Sequence, residues 1–158
     1  MVLACSPQAP AQNTAAQAEA QQSAPAASVD PRAQTGLREV PLTIKSKNGV
    51  HRFTVEVAAT PEQQERGMMF RKSVAPDRGM IFPYEPPQEV GFWMKNTLIP
   101  LDIIYIRSDG TIVRITKAEA LDLTPLPSGE PITAVLEIGG GRAAELGIKE
   151  GDIASWKA

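Results

Sequence analysis

The chain has 158 residues, 42% hydrophobic and 22% charged, with 16 basic against 18 acidic side chains and a formal net charge of -2. That length suits one ordinary domain, or one small domain with a tail, and the near balance of charge argues against nucleic-acid binding because no field gathers phosphates. No run approaches the roughly 18 apolar residues of a membrane-spanning helix; the single cysteine excludes an intrachain disulfide, and the single histidine, His51, excludes a histidine cluster for a metal.

Of the 31 residues from 6 to 36, 23 are Ala, Gln, Pro or Ser, and Val29 is the only large apolar one. Such a stretch cannot bury enough surface to offset chain entropy, so residues 6–36 read as a disordered linker. The preceding Val2-Leu3-Ala4-Cys5 resembles a bacterial lipobox, in which the cysteine becomes the acylated mature N-terminus. The resemblance implies that residues 1–5 are the remnant of a lipoprotein signal, that Cys5 carries the lipid, and that this anchor alone holds the protein at the membrane in the periplasm. Ser6 after the cysteine, where inner-membrane lipoproteins often carry Asp, points to the outer membrane. A secretory signal needs a charged start and an apolar stretch, so the anchor reading requires coding sequence upstream of Met1; with Met1 as the true start the expectation is a cytoplasmic protein.

From Leu37 to Ala158 the pattern changes to short strands and turn signals, which read as one domain. Leu42 to Lys45 leads into Asn48-Gly49, a strong hairpin signal, and Val50 to Val57 returns with Phe53, Val55 and Val57 on one face. Thr60-Pro61-Glu62-Gln63 reads as a helix start, with Thr60 as N-cap, Pro61 at the first helical position and Gln63 completing a capping box; the helix is expected to end near Phe70. Strands are expected at Gly79–Phe82, Val90–Met94, Leu101–Arg107, Thr111–Lys117 and Ile132–Ile138, with Ser108-Asp109-Gly110 as a second hairpin turn. The prolines at 83, 86, 87, 125, 127 and 131 are expected between these runs, where they cost no ladder hydrogen bonds. Gly139-Gly140-Gly141 opens a short helix through Leu146, with Gly147 as a left-handed C-cap. The fold class that follows is mainly β: an antiparallel sandwich or open barrel with two short helices.

Three phrases carry a family resemblance: Arg66-Gly67-Met68-Met69-Phe70-Arg71, Gly79-Met80-Ile81-Phe82, and Phe92-Trp93-Met94-Lys95-Asn96-Thr97-Leu98-Ile99-Pro100-Leu101-Asp102. With Val135-Leu136-Glu137-Ile138 they resemble domain-of-unknown-function family 192, over about Phe53 to Trp156; Met68 stands where that family usually shows Leu. The resemblance implies a small β-rich domain, often behind a signal peptide or lipobox, with no agreed activity.

Asp102 and Glu137 are lone charges in apolar strands, and a buried carboxylate must reach solvent, a cation or backbone N–H groups. One reading joins them into a pocket. Asp102, Glu137 and Lys95 would be acid–base or ligand-holding groups; Arg66, Arg71 and Asn96 would add polar contacts, and Trp93 a flat wall. The other makes both carboxylates structural and Trp93 core. Nothing has the spacing of a nucleophile beside its base, so the leading expectation is a non-enzymatic module binding a small ligand or an envelope protein, without cofactor or metal. A hydrolase acting on a saccharide or envelope metabolite through Asp102, Glu137 and Lys95 is the alternative, and it requires the two carboxylates to share a cleft. A structural or assembly role comes third and predicts an exposed apolar patch. Gly139-Gly140-Gly141-Arg142 could also cradle an anion, though without a phosphate-loop Lys.

Overall fold

A computed structural model describes residues 29–157; Cys5 and most of the linker lie outside the described residues. The ordered contacts start ahead of the boundary expected at Leu37. Ala33 is buried, the Gln34 amide donates to the carbonyls of Gln63 and Gly67 at 3.0 and 2.8 Å, and the Arg32 guanidinium lies 4.3 Å from the Phe70 ring centre. One Gln side chain has two N–H donors, enough to tie a polar strap to the end of α1, where the Gln63 carbonyl also accepts from the Gly67 N–H.

Strands β1 (Glu39–Ser46) and β2 (Gly49–Val57) form the expected hairpin. Its turn residues are Lys47 and Asn48, and Gly49 follows at φ 139°, a value that glycine adopts without strain. Helix α1 (Pro61–Arg66) starts with the capping box read from the sequence: Thr60 accepts from the Gln63 N–H, and the Gln63 side chain accepts from the Thr60 N–H. It stops at Gly67, short of Phe70, because Gly67 leaves helical geometry at φ 45° and ψ -133°.

Strand β3 (Arg78–Gln88) runs parallel to β2, the one parallel pairing in the sheet, and α1 provides the crossover. Pro83, Pro86 and Pro87 lie within β3, contrary to the expectation that they separate strands. The ladder with β8 tolerates them because pairing jumps from Pro83 opposite Ala134 to Gln88 opposite Ile132, so residues 84–87 bulge out of register. Strand β4 covers only Gly91–Phe92 and pairs with β7 (Leu126–Pro127) in a small second sheet. Strands β5 (Leu101–Ile106), β6 (Ile112–Ala118) and β8 (Ile132–Gly139) follow the sequence pattern closely. Helix α2 (Arg142–Leu146) ends at Gly147 in the left-handed conformation, φ 71°. Strand β9 (Ile153–Trp156), like β7, has no counterpart among the expected elements; each is too short for alternation to register.

The main sheet has the order β6-β5-β8-β3-β2-β1-β9 and curls until its edges touch. Thr111, ahead of β6, bridges Ile153 of β9; Ile112 donates to Asp152 at 2.9 Å and Ala154 to Gly110 at 2.8 Å. The result is an open barrel with apolar side chains on both sheet faces. Inside lie Leu42, Ile44, Val55, Ile81, Ile104 and Leu136, with Ala143 and Ile148 reaching in from α2 and the turn after it. Outside, Met80, Phe82, Ile103, Tyr105 and Val135 are covered by Met68 and by the segments around β4 and β7. The central strands β3, β5 and β8 are therefore buried on both faces, which explains the nearly uninterrupted apolar runs Gly79–Phe82, Leu101–Ile106 and Ile132–Ile138.

Candidate functional site

Residues directly opposite one another on paired strands share a sheet face. Asp102 opposes Ile138 and Ile103 opposes Glu137, so the two carboxylates point to opposite faces. This corrects the expectation that Asp102, Glu137 and Lys95 form one acid–base set: carboxylates on opposite sides of a sheet cannot flank one bond.

Asp102 is 2% exposed and its oxygens are occupied. Oδ1 accepts from the Gly141 N–H at 2.8 Å and Oδ2 from the Ala143 N–H at 2.7 Å. A carboxylate from β5 thus caps α2, whose own Gly141 N-cap has no side chain to offer. Gly140 permits this approach: its N–H donates to the Pro100 carbonyl, and a Cβ there would lie 2.8 Å from the Pro100 Cβ. Of the N–H groups that could have cradled an anion at Gly139-Gly140-Gly141, those of Gly140 and Gly141 are spent on Pro100 and Asp102. Pro100, Leu101 and Asp102 of the long phrase are accounted for by this joint.

Glu137 lies in the outer layer between Met80 on β3 and Ile103 on β5. Gly79 beside it is obligatory, since a Cβ there would come within 2.5 Å of the Glu137 carbonyl. The side chain is 5% exposed, and Oε2 is buried without a hydrogen-bond partner among the described residues. Burial pushes its carboxyl up from 4.5 to about 8, opposed by the positive charge of Arg71. Tyr84 is pushed up to about 12 by burial and then by the neighbouring Glu137 charge, and burial raises Tyr105 as well.

Glu137 forms part of the wall of a cleft of about 170 Å³. Buried Met68, Phe82 and Thr97 make its depth beside Glu137; half-buried Tyr84 and Phe92 stand above them; Glu65, Arg66 and Trp93 form the exposed rim. Phe92 meets Phe82 edge-on at 5.1 Å and Tyr105 at 6.4 Å between ring centres, which sets its orientation. A second groove of about 340 Å³ shares Glu65, Arg66, Met69 and Trp93 and continues over Glu62, Phe70, Lys95 and Asn96.

Local conformation builds this wall. The Phe70 N–H donates to the Asn96 carbonyl at 2.9 Å, joining the Arg66–Arg71 loop to the Trp93–Thr97 loop. Both residues have positive φ, 63° and 56°; Asn tolerates this easily and Phe does not, so the join is held at some backbone cost. Side chains alternate through the long phrase, with Phe92 and Met94 turned inward and Trp93 and Lys95 outward. Trp93 is 51% exposed and so is not core; the Lys95 ammonium lies 5.0 Å from its ring centre. Arg66 is similarly placed, 5.7 Å from the Phe70 ring.

Arg71 departs from the expected site. Its guanidinium pairs with Glu56 at 2.5 and 3.1 Å, donates to the Gln34 carbonyl at 3.0 Å, and does not line the Glu137 cleft. Of the seven candidates, Glu137, Trp93 and Arg66 come together, Lys95 and Asn96 flank them in the adjoining groove, and Asp102 and Arg71 go elsewhere. Tyr84, Phe92, Met68 and Thr97 were not expected in a site. Their sequence signals are those of ordinary core or turn residues, apart from the position of three of them inside the family phrases.

Residues 42–156 match the model of a family described as Uncharacterized ACR, DUF192. The chain belongs to this family. The DUF192 domain is similar to the structure of a protein of unknown function from Novosphingobium aromaticivorans DSM 12444, 46% identical, with 84% of this chain and 94% of that one covered and a TM-score of 0.76. It is also similar to a structure described as a candidate transcription regulator from Sinorhizobium meliloti 1021, 37% identical, covering 78% of this chain and 97% of that one, TM-score 0.75. No curated protein matches the chain.

Proposed function

We propose that this DUF192 domain is a binding module whose cleft over Glu137 takes a small organic ligand. One observation carries the reading: Glu137, whose Oε2 has essentially no solvent contact and no partner among the described residues, lies in the wall of a cleft lined by aromatic rings. Leaving such a group unsatisfied costs roughly 1–3 kcal/mol, a cost that a ligand hydrogen bond would offset. The walls suit an organic molecule, since Tyr84, Phe92 and Trp93 offer apolar surface and ring faces. The module is further proposed to hang from the periplasmic face of the outer membrane through a lipid on Cys5. Gln34 and Arg32, which meet Gly67 and Phe70 after α1, would give such a tether a defined exit point.

A thermal-shift screen of the full chain against amines, sugars, cell-wall fragments, amino acids and metal ions tests the binding reading. A saturable rise in melting temperature that Trp93→Ala weakens supports it, and stabilising ligands that are indifferent to Trp93→Ala and Tyr84→Phe refute the location. Labelling of cells with a clickable fatty acid tests the anchor: label on the native chain that is lost with Cys5→Ser supports it, and equal labelling of both rejects it.

A second reading, docking of an envelope protein at the rim, is favoured by exposed Leu98, Leu121 and Leu123 beside Trp93. The Leu121 N–H donates to Thr97 and the Met94 N–H to Asp122, so these segments form one continuous surface. A photo-crosslinker at Leu123 that gives one discrete adduct in cells, lost on Trp93→Ala, would favour this partner over a small ligand.

A further inference from the structure

We infer that the ligand group received by Glu137 is a primary ammonium, carried on a small ring-bearing or aliphatic body; this rests on the binding reading above and names the chemistry of its ligand. The unpartnered Oε2 calls for a hydrogen-bond donor. A protonated carboxyl would serve a neutral alcohol or amide equally well, so three further features decide between them. First, the cleft's charged side chains are Glu65 and Glu137 against Arg66 alone, so its balance turns acidic once Glu137 is ionised. Second, no cation reaches its depth: Arg66 lies against the Phe70 ring, Lys95 against the Trp93 ring, and Arg71 is held by Glu56. Third, Tyr84, Phe92 and Trp93 line the path, and aromatic faces attract a desolvated cation. The protein supplies a buried carboxyl with aromatic walls, and the guanidinium whose field reaches it, Arg71, is paired with Glu56 outside the cleft.

The same geometry couples binding to a proton. The carboxyl is pushed up to about 8 by burial, so near neutrality it is mostly protonated when the cleft is empty. An ammonium entering with its charge favours the carboxylate, and the proton leaves to solvent; no covalent bond changes. The charged and titratable groups that face or flank Glu137 are Tyr84 on β3, Tyr105 on β5, Arg71 with Glu56 from the α1–β3 loop and β2, Glu65 and Arg66 on α1, and Lys95 on the loop after β4. Both phenols are shifted upward and stay neutral below pH 8, so they add no step to the titration.

The test uses the full chain with two probes of like shape, benzylammonium and neutral benzyl alcohol, titrated by calorimetry from pH 5 to pH 9 while amide chemical shifts report the location. One released proton predicts affinity for benzylammonium that rises about tenfold per pH unit between pH 5 and pH 7 and levels off above about 8. Benzyl alcohol should bind more weakly at neutral pH and without that slope. Glu137→Gln, checked for folding by its circular dichroism spectrum, should abolish the slope and most of the preference for the ammonium. Should the variant fail to fold, the pH slope and the two-probe comparison on the native chain decide alone. Equal and pH-independent binding of both probes in the cleft would overturn the ammonium assignment and leave the binding module standing. Shifts confined to other surfaces, or none with either probe, would overturn both.

Discussion

Asp102 and Glu137 are both almost fully buried, lie on neighbouring strands and stand one position apart in register, yet they face different layers and meet different fates. Asp102 enters the end of the barrel and accepts two backbone N–H bonds at the start of α2. Glu137 enters the outer layer, where one oxygen is left without a partner beside a cleft. Burial alone therefore does not separate a carboxylate held by the fold from one left without a partner. Hydrogen-bond satisfaction does, because a satisfied carboxylate has no capacity left to offer a ligand.

The contrast can be broken most directly at Asp102. Asp102→Ala strands two buried N–H groups and empties the cap of α2, and is expected to cost about 3–5 kcal/mol in urea unfolding. A loss well under 1 kcal/mol would mean that the joint between β5 and α2 is held by other contacts.

Glu137→Gln should behave in the opposite sense and depend on pH. Because the folded-state value, about 8, lies above the ordinary 4.5, the stability that the buried carboxyl contributes is fully present below pH 4.5 and is lost as pH rises to about 8. The variant removes this drain, so it should match the native chain near pH 4 and exceed it by a few kcal/mol at pH 8.5. Thermal melts of both proteins across that range give the answer; parallel curves would show that Glu137 does not titrate inside the fold.

Gly140→Ala sharpens the Asp102 half of the contrast. Its Cβ would press on Pro100, and the backbone shift needed to relieve this would lengthen the Asp102 bonds, costing about 1–3 kcal/mol. The check is whether Gly140→Ala and Asp102→Ala are less than additive in a double-mutant cycle. Trp93→Ala should have the smallest effect on folding, about 0.5 kcal/mol or less, because half of the ring is already in water. Binding of a cleft ligand should fall all the same, and a Trp93→Ala protein that keeps full affinity would remove the rim from the site.

What could be read before the structure was local. The hairpin signalled by Asn48-Gly49, whose turn falls one residue earlier at Lys47-Asn48, the Thr60–Gln63 capping box and the Gly147 stop each depend on backbone geometry within a few residues, and each element is present. Alternation separates Phe92 and Met94 from Trp93 and Lys95, but which pair faces solvent, and so whether Trp93 is core, was left to the structure. The contacts of Gln34, inside the stretch read as linker, were not legible because composition reports the average tendency of a stretch and overlooks a single anchoring side chain. The prolines of β3 were misplaced for a related reason: a bulge that absorbs them is a property of the strand pair.

The sequence by itself determined the family, the mainly β class and the identity of the two lone carboxylates, because apolar patterning and turn chemistry are written along one chain. Only the tertiary structure decided that Asp102 is spent and Glu137 is free, that Arg71 is held by Glu56, and that Tyr84 and Phe92 stand beside Glu137. The physical reason is register. A shift of one residue between β5 and β8 would move Asp102 and Glu137 onto one sheet face, and that shift is set by side chains packed on both faces of the central strands, not by either strand alone.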